Sequence, residues 1–299
     1  MFAEQSVTIN GQSLNYARTG PRSDGIPLLF LHGVSRRWQS FLPLLPQLGS
    51  RYEIFALDQR GHGRSGLGKR YDVLDYIQDA VGFVNQVVER PTLIYGHSLG
   101  AMVAAGTAAQ IPDLVAGIIM EDPPFRAMGE RIAQGPLKSL MAGMQMYAGD
   151  PRTVAEIAKD FADVELYDPR TDQHTRMGNI RDGVSLRFSA RSLQDVDPQV
   201  FACIVAGAWL KGFEMEKICA AIRCPALLFQ ADERAGGMLA DDDVALLKRH
   251  VPSLTHLSFS GVPHLMHWAI TERILNHTWG FIESLDTNTP SSTNRELKG

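Results

Sequence analysis

A hydroxyl becomes a useful nucleophile only when a neighbouring base can take its proton. One window of this 299-residue chain is suited to presenting such a hydroxyl. Gly96-His97-Ser98-Leu99-Gly100 fits the pattern G-x-S-x-G. It follows the apolar run Thr92–Tyr95 and opens the small-residue stretch Ala101-Met102-Val103-Ala104-Ala105. In a strand–turn–helix setting, a sharp turn lifts the Ser98 hydroxyl clear of the sheet, and glycines at 96 and 100 let the backbone crowd around it. A plain turn packed with small residues is the bland alternative, and the flanking strand and helix weigh against it.

The base should be a histidine, oriented by a carboxylate, in the chain order Ser, acid, His. Of nine histidines, His264 in Gly261-Val262-Pro263-His264 directly follows the last apolar strand candidate, at the sheet edge where Ser98 sits. His267 reads instead as a helix-start or packing residue. His250, His256 and His277 read as surface or packing residues, and His174 lies in a polar stretch. The acid has two main candidates. Asp232 ends the run Leu227-Leu228-Phe229-Gln230-Ala231 and is preferred; Asp122 ends Gly117–Met120 and is the alternative. Glu121 or Glu233 could substitute, and Asp241 to Asp243 read as helix caps.

Negative charge developing on a carbonyl oxygen needs two preorganised N–H donors. Leu99, directly after the serine, supplies one. Val34, in the loop His32-Gly33-Val34-Ser35 after the first buried strand, is the natural second. Gly33 lets that loop approach, and Gly33 and His97 are expected to border the substrate. Met141, Met144, Trp209 and Trp38 are expected to line an apolar pocket, although each could equally pack the core. Arg36 and Arg37 could meet a substrate carboxylate, but adjacent basic residues are more often solvated. Cys219 and Cys224 lack a matching histidine pair, and Gly66-Leu67-Gly68-Lys69 lacks phosphate-loop spacing. No metal and no organic cofactor are expected.

The elements that position these residues alternate. Asn10-Gly11 between two β-like runs signals a hairpin. Leu28–Leu31, Tyr52–Leu57, Thr92–Tyr95, Gly117–Met120, Ala226–Phe229 and His256–Phe259 read as buried strands. Helical stretches fall at about 38–48, 73–89, 99–110, 242–250 and 268–283. The alternation predicts an α/β fold with a mostly parallel central sheet and helices on both faces. Residues 123–222 break the rhythm. They carry helical periodicity with no convincing buried strand, for example Leu137, Leu140, Met141 and Met144, then Val154, Ile157 and Phe161 after Asp150-Pro151. The expected organisation is a core of 1–122 and 223–285, a helical cap at 123–222, and a flexible polar tail at 286–299.

Composition narrows the function classes. A net charge of −4 with no long basic run argues against nucleic-acid binding. No run of 18 apolar residues indicates a membrane span, and the first residues lack a signal-peptide pattern. Three cysteines suggest free thiols in a reducing, cytoplasmic setting. A small-molecule substrate is the expected partner.

His32-Gly33, the run from Asp58 through Gly61-His62-Gly63 to Ser65, the Ser98 window and Gly261–His264 occur in the order of the α/β-hydrolase superfamily. Over about residues 7–285 the chain resembles its cap-bearing branch of esterases, carbon–carbon bond hydrolases, lactonases, cofactor-free haloperoxidases and epoxide hydrolases. The resemblance implies a structural role for Asp58 and His62, and a cap where the helical insertion falls. In that superfamily epoxide hydrolases and haloalkane dehalogenases carry Asp at the nucleophile position, so Ser98 points to acyl chemistry. A departure is Ala231, where Gly is usual. The expected activity is hydrolysis of a carboxylic ester of a small, largely apolar substrate. A lactone or a diketone or dienone carbon–carbon bond is the alternative, and a slow-turnover small-molecule receptor is the alternative of another class.

Overall fold

The computed structural model of the chain describes residues 2–20 and 25–285. The expected tail at 286–299 lies outside the described residues. Eight strands form one sheet in the spatial order β1-β2-β4-β3-β5-β6-β9-β10. Their ranges are β1 Ala3–Ile9, β2 Gln12–Thr19, β3 Leu28–Leu31, β4 Ile54–Leu57, β5 Thr92–His97, β6 Val115–Glu121, β9 Ala226–Gln230 and β10 Leu254–Ser258. The β1–β2 pair and the β2–β4 pair are antiparallel, and every later pairing is parallel. The Asn10-Gly11 turn closes β1 on β2 with both residues at positive φ, 50° and 80°, as a two-residue hairpin requires.

The apolar runs become strands because both sheet faces are covered. Every residue of β3, β4 and β5 is buried. Alternation sends Leu29 and Leu31 to one face, with the helices Val73–Phe83 and Leu99–Gln110, and Leu28 and Phe30 to the other, with Phe41 and the helix Thr271–Leu285. Parallel pairing brings the carboxyl ends of β3, β5, β6, β9 and β10 to one edge, and with them the loops that carry Val34, Ser98, Asp122, Asp232 and His264.

Between β6 and β9 the chain leaves the sheet. It forms the helices Leu137–Gln145, Val154–Ala162, Gly183–Leu193, Pro198–Val205 and Met215–Ala221, and a small antiparallel hairpin, β7 Glu165–Asp168 and β8 Gln173–Arg176. The hairpin is absent from the sequence reading. Its strands are polar and mostly exposed, so they carry no buried apolar run. The helix expected after Asp150-Pro151 starts later, because Thr153 and Glu156 form the capping box. Asp197 caps its helix as expected, with Pro198 in the first turn. The inserted segment is fastened to the sheet edge by Val196 pairing with His62, by the Tyr71 hydroxyl on Asp197 at 2.5 Å, and by Arg126 on Asp243 at 2.5 Å. No helix among the described residues is long and apolar enough to cross a membrane.

Candidate active site

Ser98 occupies a strained turn. Its φ of 55° and ψ of −118° fall outside the regions a non-glycine residue prefers. The surroundings hold it there. Ser98 N–H donates to the Glu121 carbonyl at 2.9 Å, and the Ser98 carbonyl accepts from Ala101 N–H at 2.9 Å. The glycines behave as the spacing predicts. A Cβ on Gly96 would lie 2.1 Å from the Gly100 carbonyl oxygen, and one on Gly100 would lie 1.8 Å from that of Leu31. Neither position can carry a side chain without breaking the contact of turn, helix and strand.

His264 enters from the loop after β10. Its Nδ1–H donates to Asp122 Oδ2 at 2.6 Å, and its Nε2 has no hydrogen-bond partner among the described residues. His97, the residue before Ser98, donates from Nε2 to the His264 carbonyl at 3.1 Å, and the two rings lie 4.6 Å apart. The histidine loop is thereby pinned beside the serine turn. Burial, then the neighbouring His264 and His267, then Arg36, hold the His97 imidazole well below the usual histidine range, so it stays neutral.

The preferred acid of the sequence reading is corrected. Asp232 does not contact His264. It accepts from Arg234 N–H at 2.9 Å and Gly261 N–H at 2.8 Å, ties two loops together, and these N–H groups pull its pKa down. Asp122 takes the histidine instead. It is fully buried at a φ of 46°, and besides His264 it accepts from the N–H groups of Met238 at 2.8 Å, Ala231 at 3.2 Å and Leu239 at 3.3 Å. Four donors compensate for removing that carboxylate from water.

One residue upstream lies a second pair that the sequence reading did not assemble. Glu121 accepts from His267 Nδ1–H at 2.8 Å, from His267 backbone N–H at 3.0 Å and from the Tyr95 hydroxyl at 2.5 Å. Both Glu121 and His267 are fully buried. A carboxylate at the end of an apolar strand must find a partner, and that was the available signal.

Val34 and Leu99, the expected donors, lie in the loop after β3 and at the start of the helix Leu99–Gln110. Neither backbone N–H has an acceptor among the described residues, whereas the next one, Ser35 N–H, is taken by His62 Nε2 at 3.3 Å. Leu99 opens a twelve-residue helix, so its N–H lies at the positive end of that helix. Gly33 closes on the site: a Cβ there would lie 2.8 Å from His97 Nδ1 and 3.0 Å from Ser98 Cβ. Asp58 holds loop backbone, accepting from Trp38 N–H at 2.8 Å and Arg64 N–H at 3.1 Å.

The expected apolar lining is largely spent on packing. Trp38 is corrected out of the pocket: its indole N–H donates to Glu4 at 3.2 Å and its ring packs on Phe2 at 5.4 Å. Met141, Met144 and Trp209 are buried in the apolar cluster that joins the inserted segment to the sheet. Arg36, by contrast, turns inward. It is 6% exposed, its N–H closes the Gly33 turn at 3.2 Å, and its Nη1 donates to Ser189 Oγ at 3.3 Å. Burial, then the charge of Arg181, pull its guanidinium down to about 9. Among the described residues no group of histidine, cysteine and carboxylate side chains is arranged to hold a metal ion.

Comparison with known proteins agrees with this architecture. The model of a family described as the alpha/beta hydrolase family matches residues 28–271. A 2-(acetamidomethylene)succinate hydrolase of Mesorhizobium japonicum is 34% identical over 122 residues, 40% of this chain and 43% of that protein. Epoxide hydrolase B of Mycobacterium tuberculosis is 33% identical over 117 residues, 38% of this chain and 33% of that protein. The matched region therefore spans less than half the length of either relative. The crystal structure of E-2-(acetamidomethylene)succinate hydrolase superposes with a TM-score of 0.71 at 22% identity, covering 95% of this chain and all of that one, a likeness of fold. Sheet order, serine turn and family match converge: the chain belongs to the alpha/beta hydrolase family.

Proposed function

We propose that the protein is a serine hydrolase acting on a carboxylic ester or a related acyl bond through Ser98, His264 and Asp122. The observation that carries the reading is the 2.6 Å hydrogen bond from His264 Nδ1 to the buried Asp122, on a loop pinned beside the strained Ser98 turn. Ser98 Oγ attacks the carbonyl carbon while His264 Nε2 takes the hydroxyl proton. The oxygen, now negative, is held by Val34 and Leu99 N–H at the positive end of the helix. His264 returns the proton to the leaving group, and an acyl-enzyme remains. Water, deprotonated by His264, attacks that ester, and the acid departs as Ser98 regains its proton. Asp122 fixes the histidine tautomer and stabilises its charged form throughout.

The serine at position 98 supports acyl transfer over epoxide opening, despite the shared segment with an epoxide hydrolase. The relative named for 2-(acetamidomethylene)succinate, whose name describes an acylated amine, supports the same class of bond. The inserted segment acts as the cap over the site. Cys203, Cys219 and Cys224 are free thiols, which supports a cytoplasmic setting.

The test is pre-steady-state hydrolysis of p-nitrophenyl esters. The native protein should release a burst of p-nitrophenol equal to the enzyme concentration whenever deacylation is the slower step. Ser98→Ala should abolish the burst together with turnover, and an unchanged burst in that variant overturns the assignment.

A further inference from the structure

We propose that the site carries a built anion subsite, formed by the buried guanidinium of Arg36, so that the substrate is an acid whose free carboxylate docks there while its acyl carbon lies over Ser98. The placement over Ser98 rests on the serine-hydrolase reading; the anion subsite itself does not.

Several other partly buried arginines are paired with carboxylates. Arg60 bonds Asp79 at 2.6 Å, Arg126 bonds Asp243 at 2.5 Å, and Arg37 lies 3.7 Å from Asp195. Arg36 has no carboxylate partner among the described residues. Among the described residues the Arg36 guanidinium meets a neutral hydroxyl, Ser189 Oγ, and an aromatic face, Phe188 at 5.5 Å. Holding the Arg36 charge out of water without a counter-ion is costly, and a bound anion removes most of that cost.

The location belongs to the site. Arg36 closes the same turn that carries Val34, and Gly33 of that turn packs against His97 and Ser98. Phe188 in turn packs on Trp268 at 5.1 Å, four residues after His264. The guanidinium therefore sits between the oxyanion loop and the cap helix Gly183–Leu193. A planar fork of N–H donors held out of water suits a carboxylate, which it can bind through both oxygens. The same charge admits neutral acyl groups poorly, because their binding leaves the cation unpaired. This refines the expectation of a largely apolar substrate.

Two esters of matched shape test the idea: mono-p-nitrophenyl succinate and p-nitrophenyl 4-methylpentanoate, which differ in a carboxylate against an isopropyl group. The native enzyme should favour the succinate ester in kcat/KM by roughly 30-fold or more, and Arg36→Met should lower that ratio by a similar factor, mostly through KM. Equal use of both esters by the native enzyme, or an unchanged ratio in Arg36→Met, overturns the proposal. Because a buried substitution can unfold the chain, succinate binding to the Ser98→Ala protein is measured in parallel by calorimetry, with 4-methylpentanamide as the uncharged control. Saturable binding of succinate and none of the amide supports the subsite; no succinate binding up to ~10 mM, a weak limit for a buried charge pair, overturns it. The binding arm needs no chemistry at Ser98. If Ser98→Ala still hydrolyses both esters, the serine-hydrolase reading falls while the anion subsite is judged on binding alone.

Discussion

Two histidine–carboxylate pairs sit on adjacent residues of one strand end, and they differ in what surrounds them. Glu121 and His267 are sealed: Tyr95 caps the acid, and the far ring nitrogen of His267 lies 3.1 Å from the Ser40 carbonyl. Asp122 and His264 share the acid–Nδ1 arrangement, but the His264 side chain is 19% exposed and its Nε2 is uncommitted. The first pair has both ring nitrogens engaged and can only brace the loop. The second keeps one nitrogen for chemistry. A histidine–carboxylate contact alone therefore does not mark an active site; the proposed mechanism rests on the nitrogen of His264 that has no partner among the described residues.

The strongest way to break this contrast is to remove each acid's charge in turn. Asp122→Asn should lower kcat for p-nitrophenyl esters by about 10⁴-fold, because the amide favours the wrong tautomer of His264. Glu121→Gln should instead act on folding. It should destabilise the chain by roughly 3 kcal/mol in urea denaturation, since it leaves a buried histidine and tyrosine poorly matched. Its turnover per folded molecule should fall far less than that of Asp122→Asn. A collapse of turnover in folded Glu121→Gln would erase the distinction between the pairs.

Acid sharpens the comparison, because the neutral His97 lies between the two pairs, 4.6 Å from the His264 ring and 5.2 Å from that of His267. His62, under the oxyanion loop, is pushed by burial down to about 4. A histidine with a depressed folded pKa gives stability that is complete above its unfolded pKa near 6.5. That stability is lost as pH falls towards the folded value, because the unfolded chain binds the proton first. His62 alone should cost about 2 kcal/mol of unfolding free energy between pH 7 and pH 5. His97 acts in the same direction. Urea denaturation at the two pH values checks this, and equal stability at both contradicts the buried neutral assignments. The smallest effect belongs to Asp232→Asn. That variant loses a loop tie at the surface, and its turnover should stay within about threefold of native.

The sequence made the serine turn legible because its glycines are needed at fixed spacing for steric reasons, and those contacts are the ones seen at Gly96 and Gly100. His264 was legible because it directly follows the last strand. The acid was not. β6 and β9 are neighbours with Glu121 opposite Phe229, so Asp122 and Asp232 leave the same edge a few residues apart. Which one turns inward is a matter of backbone: positive φ points Asp122 into three N–H groups, while Asp232 starts a 3₁₀ turn. The burial of Arg36 was equally hidden. The side chain that covers it, Ser189, lies 153 residues away in the segment whose docking no local pattern reveals.

The central claim is that Asp122, through His264, activates Ser98. The direct measurement is the rate at which a fluorophosphonate modifies Ser98, read by mass spectrometry in native, Asp122→Asn and Asp232→Asn proteins. The account predicts labelling at Ser98 that slows by about 10³-fold or more in Asp122→Asn and keeps nearly the native rate in Asp232→Asn. Native-rate labelling in Asp122→Asn, with the loss falling on Asp232→Asn, would contradict it.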